Sequence, residues 1–166
     1  MGRPSALALD IDGTITTAEP AVVQRLVAAA KECGAHVAIN TARPQRYCDA
    51  PFAQTLAIAA VEDHYCYGGP FWSLRNVFFD VPASKLDNMR AIQKKGGVSR
   101  PACCVLVDDR PENVAAVRQA GFGAVLVEAK RGITPGDATA ILGALRQCAV
   151  EAAAEPAGPT FGPQPR

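Results

Sequence analysis

Four short apolar runs in this chain each stop at a carboxylate: SALAL before Asp10, NVFF before Asp80, CCVLV before Asp108 and GAVLV before Glu128. A fifth run, HVAI, stops at Asn40. Runs this short, rich in β-branched or small residues and nearly continuous in hydrophobicity, suit strands covered on both faces of a parallel sheet. The HYCY segment near residue 65 is a candidate for one more short strand.

Helical patterns separate the runs. Pro20 can occupy the first turn of a helix that presents Val22, Val23, Leu26, Val27 and Ala30 on one side, with Gly34 ending it. Ser84 and Asp87 resemble a capping box, followed by an inward face of Leu86, Met89 and Ile92 and by Gly96-Gly97 as a stop. Pro111 opens a helix with Val114 and Val117 inward, stopped by Gly121. Thr134-Pro135-Gly136-Asp137 opens a last helix that buries Ile141, Leu145 and Cys148. Strands alternating with helices predict an open α/β sheet with right-handed crossovers.

At 166 residues the chain is the size of one domain, long enough to bury roughly 68–70% of its unfolded surface without help from disulfides. The domain is expected over residues 1–152. Glu155 to Arg166 holds four prolines and two glycines, so residues 153–166 are expected to be a disordered tail. The net charge of +1 offers no long-range field for nucleic acid or an anionic membrane. Asp10 and Asp12 interrupt the early apolar stretch, which excludes it as a signal-peptide core or membrane span. Cys33, Cys48, Cys66, Cys103, Cys104 and Cys148 form no zinc-ligand spacing. They are expected to be reduced thiols in a cytoplasmic protein.

The first run leads into Asp10-Ile11-Asp12-Gly13-Thr14. Two carboxylates one residue apart can both face a site beyond the strand, and Gly13 permits the sharp turn that follows. Thr41, Ala42 and Arg43 follow the second strand and bring a hydroxyl and a backbone amide. Lys85 is expected at a helix start, where its ammonium and the helix N-terminus could hold an anion together. The fourth strand ends in Asp108-Asp109, with Asn113 a helical turn beyond. The carboxyl edge of a parallel sheet is where α/β folds bind ligands. Carboxylates clustered there repel unless neutralised, and hard oxygen ligands suit Mg²⁺.

With LALDIDGTIT, AINTARP, SKLDNM and VLVDDRPENV in that order, the chain resembles the haloacid dehalogenase-like hydrolases over roughly residues 5 to 128. The resemblance implies a Rossmann-like three-layer α/β/α sandwich with a mainly parallel central sheet. It implies a Mg²⁺-dependent phosphatase that hydrolyses phosphomonoesters through an aspartyl-phosphate. Carried over by position, Asp10 is the nucleophile and Asp12 the general acid and base. Thr41, the amide of Ala42 and Lys85 bind the phosphoryl group, and Arg43 is a further substrate contact. Asp10, the main-chain carbonyl of Asp12 and Asp108 hold the metal, with Asp109 a further candidate that better suits orienting Lys85 or metal-bound water. Asn113 is either an assisting group behind these or a helix-surface amide. Response-regulator receiver domains use similar parts, but they begin with the acidic pair and keep the lysine last, the reverse of this order. Phosphatases of polymerase tails usually carry an acid where Gly13 stands.

About 25 residues separate Thr16 from Thr41 and 43 separate Thr41 from Lys85, so any cap over the site is minimal. The second interval holds eight of the ten aromatics, Tyr47, Phe52, Tyr65, Tyr67, Phe71, Trp72, Phe78 and Phe79. Loop and sheet packing is the better reading of these, and a stacking surface for a base or sugar the sharper one. His36 and His64 are expected to make local hydrogen bonds. The expected partner is a phosphorylated small molecule, with a homo-oligomer left open. A phosphatase of polynucleotide ends or a nucleotidase is the alternative, disfavoured by the neutral charge. A noncatalytic phosphate- or metal-binding scaffold is disfavoured because every catalytic position is filled.

Overall fold

The computed structural model describes residues 2–44, 61–67 and 80–154. Among these residues, β1 (Ala6–Leu9), β2 (His36–Pro44), β3 (Asp63–Tyr67), β4 (Cys104–Asp108) and β5 (Gly123–Leu126) form one sheet in the order β3-β2-β1-β4-β5. Every neighbouring pair is parallel. Helices α1 (Pro20–Glu32), α2 (Val81–Gly96), α3 (Pro111–Gln119) and α4 (Pro135–Ala154) cover its two faces. The candidate strand HYCY is β3, whereas NVFF lies outside the described residues, as do most of the aromatics singled out above.

The strand alternation divides the core in two. Leu7 and Leu9 of β1, Val37 and Ile39 of β2, and Val105 and Val107 of β4 pack against Val22, Val23, Leu26 and Val27 of α1 and Ile141 and Leu145 of α4. The intervening Ala6, Ala8, Ala38, Cys104 and Leu106 pack against Met89 and Ile92 of α2 and Val117 of α3. Both faces of each central strand are thus buried, which is why its sequence is apolar without polar alternation. The result is the expected three-layer α/β/α sandwich.

Helix α1 begins at Pro20 as expected, and Gly34 follows it with φ of +79°. Helix α2 begins earlier than its capping signal suggests. Asp80 is its N-cap, accepting a hydrogen bond from the Ala83 amide at 3.1 Å, and Pro82 lies in its first turn. Ser84 and Asp87 are therefore not a capping box, and Lys85 sits in the second turn instead of at the helix start. The cap is Asp80, the same carboxylate that closes the NVFF run. Helix α4 does start on a reciprocal cap, with Thr134 and Asp137 bonded through both backbone amides and side chains. It runs through Ala154, and residues 155–166 lie outside the described residues.

The expectation of reduced thiols fails. Cys103, in a 3₁₀ turn before β4, and Cys148 on α4 have Cα atoms 5.8 Å apart and are joined as a disulfide. Cys66 is disulfide-bonded as well. The pairing of Cys103 with Cys148 spans 45 residues and exists only because α4 docks beside β4, so no local spacing reveals it. The cytoplasmic expectation loses the support it drew from reduced cysteines. Among the described residues, Cys33 and Cys104 are thiols, and burial pushes the Cys104 thiol up to about 12. No helix of the described residues is long and apolar enough to cross a membrane.

Candidate active site

The strand order reverses between β1 and β4, since β2 and β3 lie on one side of β1 while β4 and β5 lie on the other. A crevice opens at the carboxyl ends of strands at such a switch point. Pairing of Leu9 with both Ile39 and Val107 brings these three strands level. The next residues, Asp10, Asn40 and Asp108, therefore stand side by side. They continue the alternation of Ala8, Ala38 and Leu106 and so turn toward the layer of α2 and α3.

Lys85 enters from that layer. Its ammonium lies 2.7 Å from Asp10 Oδ1 and 2.8 Å from Asp108 Oδ2, and it donates to the Asn40 carbonyl at 2.5 Å. Lys85, Asp10 and Asp108 are 1%, 6% and 0% exposed, so the contact is one dry ion cluster. Burial raises the Asp10 carboxyl to about 6, with Asp108 adding to the rise and Lys85 opposing it. Asp108 also accepts from the Arg110 amide and from Asn113 Nδ2, the latter at 3.0 and 3.2 Å. Asn113 is buried, which settles its place behind Asp108 and not on the helix surface.

Asp10, Asp108 and Asp109 present carboxylate oxygens within 4.8 Å of one another. Three carboxylates face one ammonium, and burial raises Asp109 above its usual range, with Asp108 adding to the rise. This set of hard oxygen donors, short of positive charge, fits a divalent cation such as Mg²⁺. Gly13 makes the crowding possible. Its φ is +71°, and a Cβ there would lie 2.4 Å from Asp109 Oδ2. The turn is held by the Ile11 carbonyl, which accepts from the amides of Thr14, Ile15 and Thr16.

Asp12 lies at the mouth with its side chain 59% exposed. Arg43 donates to both of its oxygens, from Nε at 2.6 Å and from Nη2. That hydrogen-bonded guanidinium holds the Asp12 carboxyl below its ordinary range. Strand β2 runs past the expected end at Asn40 to Pro44, but its register against β3 breaks between Asn40 and Pro44. Thr41, Ala42 and Arg43 fall in that irregularity. Thr41 is buried, and its hydroxyl accepts from the Arg43 amide at 3.2 Å.

Asp10, Asp12, Gly13, Ala42, Lys85, Asp109, Arg110 and Asn113 together line a cavity of about 290 Å³. The structure thus brings Asp10, Asp12, Ala42, Lys85 and Asp109 to one cavity; Asp108 meets it through Lys85, while Thr41 and Arg43 are not among its lining residues. Two contributors escaped the sequence reading. Arg110 lines the mouth. Asn40 holds Lys85 at both ends, accepting from its ammonium and donating from Nδ2 to its carbonyl at 3.0 Å. Asn88 in turn donates to Asn40 Oδ1. A polar residue closing an apolar strand was the available signal for Asn40. His36 lies 3.0 Å from Asp63 and 3.4 Å from Glu62, far from this cavity at the opposite end of β2, and its Nε2 makes no hydrogen bond.

No protein-family model matches the chain, and no curated protein does. Solved structures do. An uncharacterised protein of Corynebacterium glutamicum is 20% identical over 84% of this chain and 93% of its own, with a TM-score of 0.60. A protein of Mesorhizobium loti provisionally assigned as a HAD-like phosphatase is 18% identical over 89% and 88%, with a TM-score of 0.56. The 3-deoxy-D-manno-octulosonate 8-phosphate phosphatase of Moraxella catarrhalis, solved with magnesium, phosphate and KDO, is 22% identical over 91% and 93%, with a TM-score of 0.52. These likenesses, all under 25% identical, show the fold, an α/β sandwich of the haloacid dehalogenase-like kind.

Proposed function

We propose that the protein is a Mg²⁺-dependent phosphatase that hydrolyses small phosphomonoesters through an aspartyl-phosphate on Asp10. The observation that carries this reading is the buried Lys85 bridging Asp10 and Asp108 while Asp12 stands two residues on at the cavity mouth. A carboxyl of about 6 is largely ionised above that pH and available to attack.

In the first step an Asp10 oxygen forms a bond to phosphorus as the ester oxygen leaves, and Asp12 gives that oxygen its proton. In the second, water attacks the same phosphorus, Asp12 takes the water's proton, and the Asp10–phosphorus bond breaks to release orthophosphate. Lys85 offsets charge on Asp10 and on the phosphoryl oxygens, and Thr41 and the Ala42 amide orient those oxygens. Asn40 keeps the Lys85 ammonium in place, and Asn113 fixes the Asp108 carboxylate. Carboxylate oxygens of Asp10 and Asp108 and the Asp12 carbonyl would hold Mg²⁺, which would supply the charge neutralisation that lets two anions meet.

A net charge of +1 favours small phosphomonoesters over polynucleotide ends. The Moraxella catarrhalis neighbour, whose name describes a phosphorylated sugar acid, supports the same substrate class. The test is phosphate release from p-nitrophenyl phosphate and from a panel of phosphorylated metabolites and 3′- and 5′-phosphorylated oligonucleotides. Mg²⁺-dependent release that Asp10→Asn abolishes is expected. Full activity in Asp10→Asn would refute the assignment.

A further inference from the structure

Resting on this reading, we infer that Arg43 is a phosphate-operated latch on Asp12: its guanidinium holds the ionised Asp12 in the resting site and transfers to the substrate phosphate when that binds, releasing Asp12 to take up a proton from solvent and face the leaving group.

The general acid is engaged in the resting site. Arg43 approaches Asp12 with the flat edge of its guanidinium, Nε to one oxygen and Nη2 to the other. A carboxylate held at both oxygens by one fork cannot swing to an ester oxygen without breaking that fork. The fork is also the group best matched to a phosphate, whose paired oxygens accept the same two parallel hydrogen bonds.

The exchange is short in space. Arg43 follows Ala42, which lines the cavity, and its amide is fixed on the Thr41 hydroxyl. The backbone can therefore stay in place while only the side chain changes partner. The pair can also be opened. Asp12 is 59% and Arg43 24% exposed in their side chains, so water reaches the fork and can replace its hydrogen bonds as the guanidinium changes partner. A phosphate dianion carries twice the charge of the carboxylate and sits in a cavity already lined by Lys85. Lys85 cannot play this part, since Asp10 and Asp108 keep it in the dry interior. The latch makes the general acid available only when a phosphate is present.

Binding of orthophosphate to the full chain with Mg²⁺, measured by calorimetry in a double-mutant cycle, tests the exchange. Asp12→Asn removes the competing carboxylate and is expected to tighten phosphate binding about tenfold. Arg43→Gln is expected to weaken binding relative to wild type. In the Arg43→Gln background, Asp12→Asn is then expected to change affinity less than about twofold. Equal tightening in both backgrounds would mean simple charge repulsion by Asp12 and would overturn the latch, as would no tightening at all. Circular dichroism confirms that each variant is folded. The outcome is separable from that of the phosphatase reading, because orthophosphate binding needs no turnover.

Discussion

Replacing Lys85 by Met tests the physical centre of the site. Methionine keeps most of the apolar stem, so packing beneath Asn40 survives and the change is chiefly the loss of one charge. Asp10 and Asp108 are then left as two buried carboxylates with oxygens within 4.8 Å. At an effective dielectric of about 20, two unit charges at that separation repel by about 3.5 kcal/mol. The figure agrees with the roughly 3–5 kcal/mol seen when one partner of a buried ion pair is removed. The penalty depends on pH in a defined direction. The folded Asp10 carboxyl already stands at about 6 against an ordinary 3.8, and without Lys85 it rises further. A group whose folded value is raised contributes stability while protonated and loses it as pH climbs through that value. Urea denaturation followed by circular dichroism in EDTA should show the variant losing about 3 kcal/mol at pH 8 and distinctly less at pH 5. Millimolar Mg²⁺ should restore part of the loss at pH 8. A loss below about 1 kcal/mol at pH 8, or an equal loss at both values, would refute the picture of a dry cluster held together by the ammonium.

Asn113→Ala removes the donor to both Asp108 oxygens and should weaken Mg²⁺ affinity roughly 10–100-fold with little change in fold, as measured by calorimetry; unchanged affinity would remove Asn113 from the metal site. Cys148→Ser opens a link spanning 45 residues, worth about 4 kcal/mol of chain entropy. Wild-type protein in reducing agent should lose at least this much stability in urea, since the Cys66 disulfide is reduced as well, and a variant as stable as oxidised wild type would show that the Cys103–Cys148 link contributes nothing.

The acidic turn after β1 and the Asp108-Asp109 pair after β4 were legible because each closes a local pattern, an apolar strand followed by a carboxylate. Even the common face of Asp10, Asn40 and Asp108 follows from alternation once the strands are level. Asn40 was passed over because a single amide at a strand end has no chemistry of its own. Its importance arises only when the Lys85 ammonium arrives beside its carbonyl. The start of α2 was misplaced for a related reason. Asp80 can end a strand or cap a helix, and local sequence does not choose between them.

By itself, the sequence determined the alternation of strands and helices, the two-faced burial of the sheet and the carboxyl edge on which its acids gather. These depend on periodicity and on turn chemistry, which act over a few residues. The pairing of Lys85 with Asp10 across 75 positions was implied only by the family resemblance, and tertiary structure alone decided the pairing of Arg43 with Asp12 across 31 and of Cys103 with Cys148 across 45. Such contacts are fixed by strand order and by how each helix docks on the sheet. No spacing along the chain encodes them.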